Sequence, residues 1–305
     1  MGPLREAAGE PVADTAAGLP CAALRPLVHR YLGYRYRGFP PGVHLGLPSP
    51  HLTVVVSLGA PVRVALRPDG EPRLHASLAG GLHVRPVLLP HDGEQYGVQL
   101  ELTPHGARAL FGAPAAELAA SVVDLPELLG GAAALLPERL AREPDWSGRF
   151  ALLDAFLARR ADPAAAPRPE LAHAWRRLTR PGGPGAAGDG PPAAGEPVAG
   201  GPVAGGPVAG GPVAGVAREL GWSRRHLSGR FTAEFGLSPT AAVRVARFHR
   251  SRRLLQRPGP RTLAAVAAAC GYFDQAHMAR EWRGLAGMPA SAWLAAGEPP
   301  VPGDG

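Results

Sequence analysis

Two clusters of polar side chains occupy matched places in the C-terminal third of the chain. The first is Arg224, Arg225, Ser228 and Arg230; the second is Gln275, His277 and Arg280. Arginine forks onto guanine edges and phosphates, glutamine onto adenine, and a serine hydroxyl onto either, so these residue types suit the reading of duplex DNA. Each cluster follows a Gly suited to stopping a helix, Gly221 or Gly271, and a residue suited to capping the next, Ser223 or Asp274. Four residues beyond the cap, Leu227 or Met278 is expected to pack back on Trp222 or Phe273 as a hydrophobic staple. An aromatic, Phe231 or Trp282, and then a glycine, Gly236 or Gly287, complete four landmarks that repeat at an offset of 51. Helix, tight turn and capped second helix is the helix-turn-helix plan, in which the second helix enters a major groove.

The elements that must position these clusters can be read around them. Ser238 caps and Pro239 opens a helix running to about Gln256. Its roughly 19 residues span about 28 Å, close to the roughly 34 Å between major-groove faces on one side of a duplex. Arg244, Arg247, Arg250 and Arg253 recur every three residues as a drifting basic stripe, partly for phosphates and partly for solvent. Leu254 and Leu255 read as core, as do Trp222, Phe231, Phe235, Leu263, Val266 and Trp282. Charge supports the reading. Residues 1–169 hold 16 Arg and 16 acids, whereas 216–283 hold 13 Arg against four acids. A concentrated positive charge of this kind is a footprint for a polyanion. There is no Lys.

Region 216–294 resembles the DNA-binding domain of AraC/XylS-type transcription regulators, which joins two helix-turn-helix units by a long helix. The resemblance rests on GLSP at 236–239, Arg247 followed by Leu254-Leu255, and VAAACGYFDQAHMAREW at 266–282. It implies a helix over 171–178 as the domain's first and a domain spanning 168–297. It implies base-facing residues at Arg225 and Ser228 in the first unit and Gln275, His277 and Arg280 in the second. With Arg224, Arg230 and Arg247 these make the expected DNA-contacting set. Gly229, Ala242, Ala276 and Met288-Pro289 depart from the usual pattern. The implied partner is a double-stranded DNA operator. A small-molecule effector of unknown identity, a second copy of the chain, and RNA polymerase in an activator are the further partners of such proteins. No catalytic role and no cofactor are expected.

The N-terminal half reads differently. HLTVVVSL at 51–58 and VRVAL at 62–66 are strand-like, and 82–89 and 95–102 flank Asp92-Gly93 as a hairpin. After Thr103-Pro104 the pattern turns helical, with Phe150, Leu153 and Leu157 on one face. The expected fold is thus α+β: a β-rich, cupin- or barrel-like sensor or dimerisation domain with helices over 20–165, then the all-α domain. Residues 1–19 and 298–305 read as tails. His29, His44, His51, His75, His83, His91 and His105 lack ligand spacing, so no metal is expected. No nucleophile elbow, phosphate loop or metalloprotease signature is present. The rival readings are a catalytic N-terminal half fused to a DNA-binding tail, and a nucleic-acid binder without sequence preference. Cys21 and Cys270 read as reduced thiols; with no membrane-length apolar run, a cytoplasmic protein is expected.

Gly and Pro total 77, of which 21 fall within residues 181–215. Pro-Val-Ala-Gly begins at 197, 202, 207 and 212, a period too short for a solenoid and wrong for collagen. The stretch 181–211 reads as a flexible expansion inside a loop of the DNA-binding domain. Loop closure costs only about 0.6 kcal/mol per doubling of length. Deleting residues 185–210 should therefore preserve folding and operator affinity and slightly raise the melting temperature. A tenfold or greater loss of binding (about 1.4 kcal/mol), with the circular dichroism unchanged, would give the array a role in recognition.

Overall fold

The computed structural model describes residues 11–162, 164–180 and 211–296. The repeat region 181–210, residues 1–10 and residues 297–305 lie outside the described residues. Among the described residues, the N-terminal half carries ten strands: β1 (Val12–Gly18), β2 (Val28–Arg37), β3 (Gly42–Gly46), β4 (Leu52–Ser57), β5 (Val62–Val64), β6 (Arg73–His75), β7 (Ser77–Gly80), β8 (Val87–His91), β9 (Gln95–Leu102) and β10 (Val122–Asp124). Six form an open antiparallel sheet in the order β1-β2-β9-β4-β7-β10. The ladders β3-β8 and β5-β6 lie outside it and are joined by a bridge between Ala65 and Leu88.

The period-2 alternation gives the large sheet two apolar faces. Val54, Val56, Val98, Leu100 and Leu102 enter the main core, with side chains of the helices α1 (Pro104–Phe111), α2 (Leu125–Leu129), α3 (Leu136–Arg142) and α4 (Trp146–Ala158). Each such fully buried side chain contributes about 1.5–3 kcal/mol. Val55 and Leu78 point the other way and cluster with Val64 and with the partly buried Val62, Val87 and Leu89 of the small ladders. Between these layers lies a cavity of about 1380 Å³.

Two expectations are corrected. Residues 12–18, read as tail, form β1 in full register along β2. The strand is held from the helical side, where Trp146 Nε1 donates to the Asp14 carboxylate at 3.2 Å. The hairpin expected across Asp92-Gly93 does not form. β8 pairs with β3, whereas β9 pairs with β2 and β4, so the turn passes the chain between sheets. A turn motif sets a local reversal; it does not choose the strand's partner.

The described residues of the C-terminal half form helices and no strands: α5 (Pro169–Thr179), α6 (Gly211–Glu219), α7 (Arg224–Phe235), α8 (Pro239–Gln256), α9 (Leu263–Ala269), α10 (Gln275–Ala286) and α11 (Ala290–Ala296). Its apolar residues join the same contiguous core as the sheet. At one contact between the halves, His51 stacks on His29 at 4.5 Å and meets His249 of α8 edge-on at 5.9 Å. Beside them Glu101 accepts two hydrogen bonds from Arg30, at 2.8 and 3.0 Å, in a buried ion pair.

Burial pushes His51 down to about 4, the nearby Glu101 charge offsetting only part of the effect, and holds His249 well below its ordinary value. Burial alone would raise Glu101, but the Arg30 hydrogen bond and neighbouring positive charge hold it below the usual carboxylate range. Unfolded histidines titrate near 6.5, so below that pH the unfolded chain binds protons that folded His51 and His249 refuse. The sign is a loss of stability as pH falls from about 6.5 toward 4, with Glu101 adding to the loss at the acid end. The urea midpoint should be lower at about pH 5 than at about pH 7.5, with an unchanged m-value. A midpoint that stays level would contradict the neutral histidine contact.

Candidate nucleic-acid interface

The two units are built by the same local chemistry. After α6, Gly221 takes a left-handed φ of 66° and the Trp222 N–H bonds the Ala217 carbonyl. After α9, Gly271 takes φ 76° and the Tyr272 N–H bonds the Ala267 carbonyl. Ser223 Oγ then accepts from the His226 N–H at 3.1 Å, and Asp274 Oδ1 from the His277 N–H at 2.6 Å, capping α7 and α10 as expected. One face of α7 buries Leu227, Phe231 and Phe235; one face of α10 buries Met278, Trp282 and Leu285. The opposite faces are open. Arg224, Arg225 and Arg230 are exposed on α7, with Ser228 half-buried at the margin. Gln275 and Arg280 are exposed on α10. His277 is half-buried, edge-on to Tyr272 at 5.5 Å and 3.5 Å from Glu281.

The second staple is not as expected. Phe273 is 93% exposed, and Tyr272 is the buried aromatic. The stop glycines and the aromatics after them match at an offset of 50, whereas the caps match at 51. The second turn therefore holds one more residue than the first. That residue is Phe273. Tyr272 meets His277 edge-on as Trp222 meets His226, at 4.7 Å in the first unit.

The arginine stripe of α8 is turned inward. Arg244 Nε donates to buried Glu281 at 3.2 Å, and the Arg247 guanidinium lies 5.1 Å from the Tyr272 ring centre. Arg250 donates to the Arg180 carbonyl, and the Arg253 charge helps depress His51 and His249. The helix is thereby tied to the second unit and to the C-terminal end of α5. Trp282, fully buried, packs on Phe248 at 4.7 Å and donates through Nε1 to Ser251 at 2.9 Å, which fixes α10 across α8.

The C-terminal end of α7 rests on the N-terminal half. Arg108 of α1 grips Glu234 through two hydrogen bonds of 2.6 and 2.8 Å. Phe235 packs on Trp175 at 4.6 Å and faces His105. Gly236 passes so close to Ala116 and Ala119 that a side chain there would collide. Sequence reading missed this contact, since Arg108 and Glu234 are 126 residues apart and no local pattern joins them.

The cavity of the N-terminal half is lined by the second face of the large sheet, including Tyr34, Val55 and Gln99, and by the two small ladders and their loops, and extends to Arg252, Gln256 and Trp293 of the helical half. Among the described residues, no group of three or more His, Cys, Asp or Glu is placed to hold a metal. No helix among them is long and apolar enough to cross a membrane.

Residues 216–296 match the model of a helix-turn-helix domain. No curated protein matches the chain in sequence. Among solved structures, a DNA-binding transcriptional dual regulator from Escherichia coli K-12 is 24% identical, covering 28% of this chain and 79% of its own, with a TM-score of 0.25. ToxT from Vibrio cholerae is 9% identical over 93% of this chain and 98% of its own, with a TM-score of 0.48. ToxT from strain SCE256, bound to an unsaturated fatty acid, is 8% identical over 95% and 97%, with a TM-score of 0.47. The domain match, with the two capped helices that bear exposed guanidinium groups, defines a helix-turn-helix DNA-binding protein. The C-terminal domain, with two units on one long helix, is a helix-turn-helix domain of the AraC type.

Arg247 offers a direct check on the inward stripe. Arg247→Ala should lower the melting temperature through loss of a cation–π contact worth about 0.5–2 kcal/mol. The salt dependence of DNA binding should stay as it is. A fall of about one in the slope of log K against log salt would place Arg247 on a phosphate instead.

Proposed function

We propose that α7 and α10 enter adjacent major-groove segments on one face of a duplex and read them separately. Arg225 and Ser228 face bases in one segment and Gln275, His277 and Arg280 in the other, with Arg224 and Arg230 completing the DNA-contacting set; Arg247, held over the Tyr272 ring, is left out of it. The observation that carries this reading is the pair of capped helices with exposed Arg and Gln, set on a common 18-residue spine. That spine is about 27 Å long, near the groove repeat. Unlike side chains on the two helices favour a specific, asymmetric site over binding without sequence preference.

The DNA-binding unit begins near residue 168. The preceding unit, which takes in β1 and runs to about 165, serves as sensor and dimerisation module. Its large, mainly apolar cavity suits a small effector with an apolar body, in a protein of cytoplasmic type. The fatty acid named with ToxT is a ligand of that kind. Because the cavity reaches α8 and α11, an occupant would touch the DNA-binding half directly. An enzymatic N-terminal half is not favoured by any residue cluster described above. RNA polymerase is the further partner if the chain activates transcription.

Arg225→Ala or Arg280→Ala should weaken operator binding by about 1–3 kcal/mol, with the fold intact. Footprinting should show one monomer covering two adjacent major-groove segments of unlike sequence. Protection confined to one segment would defeat the bipartite reading.

A further inference from the structure

We propose that Phe273 is a specificity-determining side chain that reads the C5-methyl group of a thymine in the major groove. The inference rests on the reading of α10 as the second recognition helix. At 93% exposure Phe273 is the most exposed of the large hydrophobic side chains on the described surface. It is also the extra residue of the second turn, and the fold does not use it, because Tyr272 fills the aromatic place against the helix.

The position of Phe273 is set by the recognition helix itself. Its N–H donates to His277 Nδ1 at 3.3 Å, and the next residue, Asp274, caps α10 through the His277 N–H. The ring is therefore carried at the mouth of the helix, next in sequence to the exposed Gln275 and Ala276 of its first turn. The nearby acids are both engaged: Asp274 in the cap, and Glu281 buried against Arg244. An exposed aromatic at the start of this helix, on a surface that also bears exposed polar and cationic side chains, suits the floor of a major groove. The apolar feature a base pair presents there is the thymine methyl, which phenylalanine contacts.

The test uses the full-length chain to select duplexes from a randomised pool. Each thymine of the enriched duplex is then replaced singly by deoxyuridine, which removes only the methyl group. Within the segment protected by α10, one replacement should weaken wild-type binding about fourfold, as expected for one buried methyl-sized group (about 0.8 kcal/mol). Phe273→Ala should weaken binding of the unmodified duplex about tenfold and erase the deoxyuridine effect. Phe273→Leu should retain most of both, and circular dichroism should show all variants folded.

Equal affinity and an identical deoxyuridine pattern for Phe273→Ala would overturn the proposal. So would a methyl effect that survives Phe273→Ala and vanishes in Ala276→Gly, which would assign the contact to Ala276. Unchanged binding with lost transcription would place the ring on a protein partner and overturn it too. Failure to enrich any duplex would instead remove the reading of the chain as a sequence-specific binder, and this inference with it.

Discussion

The last turn of α7 satisfies two domains at once, and the placement of the DNA-facing surface depends on it. Glu234 is buried, and a buried carboxylate is tolerable only when paired; its partner is Arg108 from the sheet domain. Phe235 lies in an aromatic group with Trp175 and Phe231, while its other side meets His105. Gly236 then ends the helix in a left-handed turn, φ 76°, against Ala116 and Ala119. A larger residue would need both an unfavourable backbone conformation and space that the neighbouring turn occupies. Charge pairing, aromatic packing and close backbone approach converge on three consecutive residues.

A second division of labour runs through the arginines. The guanidinium groups on α7 face solvent, whereas those along α8 bind Glu281, lie over Tyr272 or bond the Arg180 carbonyl. Arginine suits both uses, since its planar head stacks on rings and forks onto carboxylates yet stays charged. Net positive charge and available positive charge are therefore different quantities in this domain. The spine consumes a share of the charge to fix the second unit and the end of α5, and the surface near α7 and α10 presents the remainder.

Much of this was legible in the sequence where the determining physics is local. Caps at Thr103, Ser223, Ser238 and Asp274 form with their own third-following N–H groups. The helix starts they predict follow. The β-branched run of β4 likewise gave its strand. Where the outcome depends on partners far along the chain, local pattern is silent. The Asp92-Gly93 turn says nothing of β8 choosing β3. The spacing of Arg247 shows a stripe but not that Tyr272, 25 residues on, will lie beneath it. The role of Phe273 was misread because the two units were aligned on their caps. Aligned on the stop glycines, they reveal the added residue.

The geometry of α7 also makes it a lever. Its sheet-domain contacts lie at one end, at Glu234 and Phe235, and Arg224 and Arg225 lie at the other. Twelve residues at about 1.5 Å each put roughly 18 Å between pivot and tip. A tilt of only about 10° at the pivot then moves the tip by about 3 Å, a whole hydrogen-bond length. The sheet domain need not unfold, detach or rotate far to change what the arginines reach; a displacement of well under an ångström at the Arg108 clamp is multiplied along the rigid helix.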